Sequence, residues 1–156
     1  MERDATMRTA NDIMRTDLVT LSPETSLADA VTLLLNYGIS GAPVVDPDDH
    51  LLGVLSEKDC LRFLASSAFY ATPSGTVADV MQRDVATTGP EADVFRLAFE
   101  FHDHPCRRLP VVAEDGTLLG LVARRDVMRA LDEIRRQRES VPHPSTYEVL
   151  EAHRGF

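Results

Sequence analysis

No apolar run in this 156-residue chain approaches the roughly 20 residues needed to span a bilayer, so no membrane association is expected. The opening residues, with Glu2, Arg3, Asp4 and Arg8 among them, lack the apolar stretch of a secretory signal. Cysteine is scarce. Cys60 and Cys106 are the only two, which leaves room for at most one disulfide and reads as reduced thiols in a cytoplasmic protein. Positive charge is in deficit, with 16 Lys and Arg against 25 Asp and Glu and a net charge of −9. That balance argues against a surface built to neutralise nucleic-acid phosphates. There is no Gly-x-Ser-x-Gly elbow, phosphate loop or His-Glu-x-x-His pair, so the reading is of a protein that is not an enzyme. What remains, 44% hydrophobic and 26% charged, is an ordinary globular composition and argues against disorder.

The first positive feature is a self-match at an offset of 67 residues. Asp12, Met14, Asp17, Thr20, Pro23 and Glu24 recur as Asp79, Met81, Asp84, Thr87, Pro90 and Glu91. Pro43, Val44, Val45 and Asp48 recur as Pro110, Val111, Val112 and Asp115, and Leu51, Leu52, Gly53, Asp59, Arg62 and Leu64 as Leu118, Leu119, Gly120, Asp126, Arg129 and Leu131. Sixteen identities without a gap mark an internal duplication.

Both copies carry the same pattern. In the first, Ser26 precedes apolar positions at helical spacing, Leu27, Ala30, Val31, Leu34 and Leu35, with Gly38 as the stop. Strands are expected over 42–45 and 51–55 around Asp46-Pro47-Asp48-Asp49, then a helix over about 56–65. The second copy predicts a helix over 93–101, strands over 109–113 and 118–122 joined at Glu114-Asp115-Gly116, and a helix over about 124–138. Short strands at 19–20 and 86–87 complete each β-α-β-β-α unit. The fold class is therefore α+β. A unit of about 55 residues is marginal alone, so the two are expected to pack sheet to sheet with pseudo-two-fold symmetry. The boundaries read as an N-terminal segment 1–11, repeat 1 at 12–65, a linker 66–76 with Ser66, Ser67, Pro73 and Gly75, repeat 2 at 77–138, and a tail 139–156 with a short helix near 147–153.

Three motifs recur in order. They are Asp12-Ile13-Met14 with Asp79-Val80-Met81, Ser40-Gly41-Ala42-Pro43-Val44-Val45 with Arg107-Arg108-Leu109-Pro110-Val111-Val112, and Gly53 to Asp59 with Gly120 to Asp126. On these the chain resembles a tandem pair of cystathionine β-synthase (CBS) domains, a Bateman module, of the stand-alone prokaryotic type. The resemblance implies clefts that bind AMP, ADP, ATP or S-adenosylmethionine as regulatory ligands, with no cofactor required. It implies an Asp on the last helix, Asp59 or Asp126, for the ribose hydroxyls, and a hydroxyl three residues earlier, Ser56, near ribose or phosphate. Residues before the central strand, Ser40 to Pro43 and Arg107 to Pro110, would meet the adenine. Thr20 and Thr87 stand where the family often has a polar residue near the ligand. A homodimer and a separate downstream protein are also implied.

The residue chemistry agrees with this and also offers a plainer account. A carboxylate can accept from two vicinal hydroxyls, Ser56 beside a helix start suits an anion, and Gly41 and Gly53 allow a flat ring close to the backbone. Equally, Ser56 and Asp59 suit a helix cap, and Thr20 and Thr87 suit strands. The copies differ in charge. Copy one offers Ser56, Asp59 and Lys58, whereas copy two has Asp126, Ala123 in place of the hydroxyl, and Arg107, Arg108, Arg124 and Arg125. One asymmetric cleft is expected, with copy-two arginines on phosphate and either Asp serving it. His102, His104 and Cys106 alternate but nothing completes a metal set, and Cys106 aligns with Ile39. His50 among Asp46, Asp48 and Asp49 reads as a solvated turn, so no metal is expected. The alternative to a sensor is a ligand-free structural or interaction module, in which Ser56, Asp59 and Asp126 are caps only.

Overall fold

The duplication is visible in the elements it produces. A computed structural model describes residues 8–70 and 75–140, with side chains of 67–70 excepted. Copy one runs α1 (Ala10–Ile13), α2 (Leu27–Tyr37), β1 (Gly41–Val45), β2 (Leu51–Ser56) and α3 (Glu57–Tyr70). Copy two repeats the order as α4 (Val77–Val80), α5 (Val94–Asp103), β3 (Arg108–Val112), β4 (Leu118–Ala123) and α6 (Arg124–Ser140). The helix expected near 147–153 lies outside the described residues.

Local chemistry sets the boundaries. Ser26 caps α2 by accepting from the Asp29 amide at 3.1 Å, and Gly38, at φ 62°, closes it in the left-handed region. Asp93 caps α5 through the Arg96 amide at 2.8 Å. Leu27, Ala30 and Leu34 are buried as their spacing requires, whereas Leu35, read as part of the apolar face, is 75% exposed. Helix α3 runs past the expected end through Ser66 and Ser67. Serine inside a helix costs only about 0.5 kcal/mol relative to alanine, too little to stop it.

The hairpins match in register. Gly41 faces Ser56 and Val44 faces Gly53 in β1–β2, and Arg108 faces Ala123 and Val111 faces Gly120 in β3–β4, each with one irregularity at the last valine. Asp49 (φ 63°) and Gly116 (φ 90°), one repeat apart, both take left-handed backbone in the turns. The strands expected at 19–20 and 86–87 are instead single parallel bridges one residue later, Leu21 to Val44 and Thr88 to Val111. The Leu21 amide donates to the Pro43 carbonyl and its own carbonyl accepts from Val45, each at 2.9 Å, and Thr88 does the same with Pro110 and Val112. Leu21 and Thr88 are accordingly buried, while Thr20 and Thr87 are exposed.

The opening segment of each copy crosses to the other. Ala10, Ile13 and Met14 pack with Leu97, Leu109, Val111 and Val122 of copy two. Val77, Val80 and Met81 pack with Leu27, Leu34, Val44 and Leu55 of copy one. Behind them Arg15 exchanges backbone hydrogen bonds with Leu121 at 2.9 and 3.0 Å, and Gln82 with Val54 at 2.9 Å both ways. These sets are 67 residues apart, so the two-fold relation is written in the hydrogen bonds. A Cβ on Gly120 would lie 2.6 Å from Met14 Sδ and 2.8 Å from the Arg15 carbonyl oxygen, and Gly53 faces Gln82 and Met81 in the same way. Gly53 therefore makes room for the crossing chain, not for the ring expected from sequence. At the tips Leu51 donates to the Gly116 carbonyl at 3.1 Å and Leu118 to that of Asp49 at 2.8 Å, joining the two sheets.

Candidate functional site

Two cavities, of about 520 and 530 Å³, open where the copies meet, a size ordinary for small-molecule sites. They lie side by side, sharing Gly41 and Pro43 of β1, Arg108 of β3 and Leu121 of β4. The first cleft adds Ser40, Ala42, Val54, Ser56, Glu57, Lys58 and Leu61 from copy one and Pro105, Cys106 and Arg107 from copy two. The second adds Arg15, Asp17, Leu18, Val19, Tyr37 and Ile39 from copy one and Ala123, Arg125, Asp126 and Arg129 from copy two. Arg108 stands between them and donates from Nη1 to Ser40 Oγ at 3.1 Å, a bond across the two copies.

The two carboxylates begin equivalent helices but are held differently. Asp59 Oδ2 accepts from the Ser56 amide at 3.0 Å and the Ser56 hydroxyl at 2.8 Å, and Ser56 Oγ in turn accepts from the Asp59 amide at 3.3 Å. This is a reciprocal cap, and it folds Asp59 back on its own helix, off the wall of either cleft. Asp126 Oδ2 accepts only the Ala123 amide, at 3.0 Å, with Arg129 Nη1 3.8 Å from Oδ1. The missing hydroxyl at position 123 thus leaves Asp126 less engaged, and its residue lines the second cleft.

Of the other candidates, Thr20, Thr87, Leu109 and Pro110 line neither cleft. Leu109 is fully buried in the core of copy two, and the Pro110 carbonyl is taken by the Thr88 amide. The chain near Thr20 does reach the second cleft, but through Asp17, Leu18 and Val19. Sequence reasoning passed over these, as it did Arg15, Tyr37 and Arg129. Asp17 and Arg129 carried a signal, since both belong to the repeated identities; the rest did not.

Burial pushes both thiols up, with Asp59 and Glu57 adding to it at Cys60 and Arg124 opposing it at Cys106, so neither is an activated nucleophile. Among the described residues, the group of three possible metal ligands that converges is Asp46, Asp48 and His50, within 4.8 Å. Its geometry is that of a turn. Asp46 Oδ1 accepts from the Asp48 and His50 amides at 2.9 Å each, and Oδ2 faces His50 Nδ1 at 3.1 Å. Among the described residues no helix is long and apolar enough to cross a membrane.

Comparison with known proteins falls on the same two segments. The CBS domain family model matches residues 10–66 and 77–133. The crystal structure of CBSX2 in complex with AMP is 32% identical, with a TM-score of 0.69 over 81% of this chain and 98% of that one. The structure of the CBS-pair protein CBSX2 from Arabidopsis thaliana is 31% identical, with a TM-score of 0.70 over 82% and 96%. Inosine-5'-monophosphate dehydrogenase of Bifidobacterium longum is 37% identical over 120 residues, which are 74% of this chain but 21% of that enzyme. The chain thus spans about a fifth of the length of the curated relatives it matches first. Matched twice, at the two halves of its own duplication, the chain belongs to the CBS domain family as a tandem pair.

Proposed function

We propose that this protein is a regulatory module that binds an adenosine-containing ligand, AMP, ADP, ATP or S-adenosylmethionine, in the second cleft and presents the result to a partner protein. The carrying observation is a cleft built by both copies and lined together by Asp126, by cations including Arg108 and Arg125, and by apolar side chains. Leu18, Val19, Ile39 and the exposed ring of Tyr37 offer a flat ring its apolar surface. Asp126 accepts the ribose hydroxyls, and Arg108 and Arg125 meet phosphate. The 32%-identical CBSX2, crystallised with AMP, supports the ligand class. A ligand that binds between the copies shifts their arrangement only by its differential affinity.

The test is thermal unfolding with and without AMP, ADP, ATP, S-adenosylmethionine, NADH and GTP. At about 100 times its dissociation constant a ligand adds roughly 2.7 kcal/mol, a rise of a few degrees. No rise with any adenine compound sinks the reading. A second reading, a ligand-free interaction module, is favoured by the capping roles of Asp59 and Asp126 and predicts that outcome. For either, the exposed Leu61 and Leu64 of α3 and Met128 of α6 supply the seam of a homodimer. Val127 on the same helix is buried in the core of copy two. Sedimentation of Leu61→Glu with Met128→Glu checks this, and an unchanged mass overturns it.

A further inference from the structure

Beside the two clefts lies a third cavity of about 420 Å³, bounded by Ser40, Ala123, Met128 and four arginines, Arg107, Arg108, Arg124 and Arg125. All four are exposed, and among the described residues none has a carboxylate partner. Arg8, Arg96, Arg129, Arg135 and Arg136 do, whereas Arg15, Arg62, Arg83 and Arg138 show no such pair among the described residues but stand apart from this cavity. In a chain with 25 acids against 16 cations, pairing is the easy outcome for an arginine. Four that converge unpaired hold like charge together, at a cost that an anion among them relieves.

The cavity borders both clefts, since Arg108 and Arg125 also line the second and Arg107 and Arg108 the first. Arg124 lines the arginine cavity alone. The positions one repeat earlier are Ser40, Gly41, Glu57 and Lys58, so the concentration of guanidinium is confined to copy two and gives the site a direction. One phosphate satisfies one or two arginines through bidentate bonds. Four exceed what a monophosphate can engage, and a ligand without phosphate engages none in this way.

We infer that the arginine cavity is a polyphosphate subsite, and that the ligand is a nucleoside di- or triphosphate in preference to a monophosphate or a sulfonium nucleoside. This rests on the adenosine-ligand reading above. With ribose at Asp126, the first phosphate meets Arg108 and Arg125, and those beyond it meet Arg107 and Arg124.

Isothermal titration of the full chain, in Mg-free buffer at constant ionic strength, uses AMP, ADP, ATP and inorganic tripolyphosphate as probes. The affinity is expected to rise from AMP through ADP to ATP by at least tenfold overall, with tripolyphosphate at least tenfold weaker than ATP. Arg124→Ala is expected to bring the ATP-to-AMP ratio to about threefold or less, and Arg124→Lys to restore part of it, each variant being checked for native circular dichroism. AMP and ATP of equal affinity overturn the inference and leave the adenosine reading standing. Tripolyphosphate as tight as ATP, with AMP not bound, overturns it in favour of an inorganic polyphosphate site. No binding by any probe overturns this inference and leaves the adenosine reading to S-adenosylmethionine, which the unfolding panel tests separately.

Discussion

Asp59 and Asp126 occupy the same place in two copies of one unit, yet the hydroxyl of Ser56 ties down the first and Ala123 leaves the second open to the cleft. A hydrogen bond to a charged group contributes about 1.5–3 kcal/mol, so Asp126→Ala is expected to weaken an adenosine ligand tenfold or more in calorimetry. Asp59→Ala is expected to cost about 1 kcal/mol of stability, as other lost caps do, with affinity changed less than twofold. Equal losses of affinity in both variants would refute the assignment. Two carboxylates of the hairpin turns set a pH limit. The His50 amide, first of several causes, holds Asp46 below the usual carboxylate range, and hydrogen bonds from Thr117 do so for Asp115. A carboxylate whose pKa is lower folded than unfolded contributes stability that is complete above the unfolded value, about 3.9, and is lost as pH falls through the folded one. The urea midpoint is therefore expected to fall below about pH 4, and to fall less steeply in Asp46→Asn with Asp115→Asn; parallel curves would show that these groups do not contribute.

At the scale of elements, the crossing of α1 and α4 is the feature the sequence hides. Helices α2 and α5, both hairpins and the start of α6 are legible from spacing, caps and turn residues. Which copy each segment packs against is not, because Met14 and Met81 are equally apolar wherever they go. The paired glycines held the clue. Gly53 and Gly120 repeat in the sequence, and their chemistry says only that something comes close; here it is the other copy's backbone. Gly120→Ala is expected to destabilise by about 1–3 kcal/mol, the range of overpacked sites, read as a lower urea midpoint. No loss would mean that the crossing chain yields at no cost. The site was legible in the same partial way. Ser40 to Pro43, Arg107 and Arg108 stood out by motif and do line the clefts, whereas Arg15 and Tyr37 reach the second cleft from elements with no motif of their own. Thr20 repeats as Thr87 although neither lines a cleft, since identity marks a repeated position, and an exposed threonine beside a buried strand residue repeats as faithfully as a ligand contact.

For the whole molecule, neither copy contains its own complete core. Copy one lacks the apolar residues that α4 brings it, and copy two those of α1. Fragments 1–72 and 73–156 are each expected to be unfolded alone by circular dichroism and to regain native signal when mixed. Native signal from either alone would show the crossing to be dispensable. The same geometry bears on ancestry. Every crossing backbone bond has a counterpart 67 residues away, from Arg15 with Leu121 to Gln82 with Val54, so two identical single-repeat chains could make all of these as an isologous dimer. Joining such chains end to end turns a bimolecular association into an intramolecular one at a fixed effective concentration. It also frees the halves to diverge, which two identical chains cannot do, and the Ser56–Ala123 difference and the one-sided arginines are changes open only to the fused form.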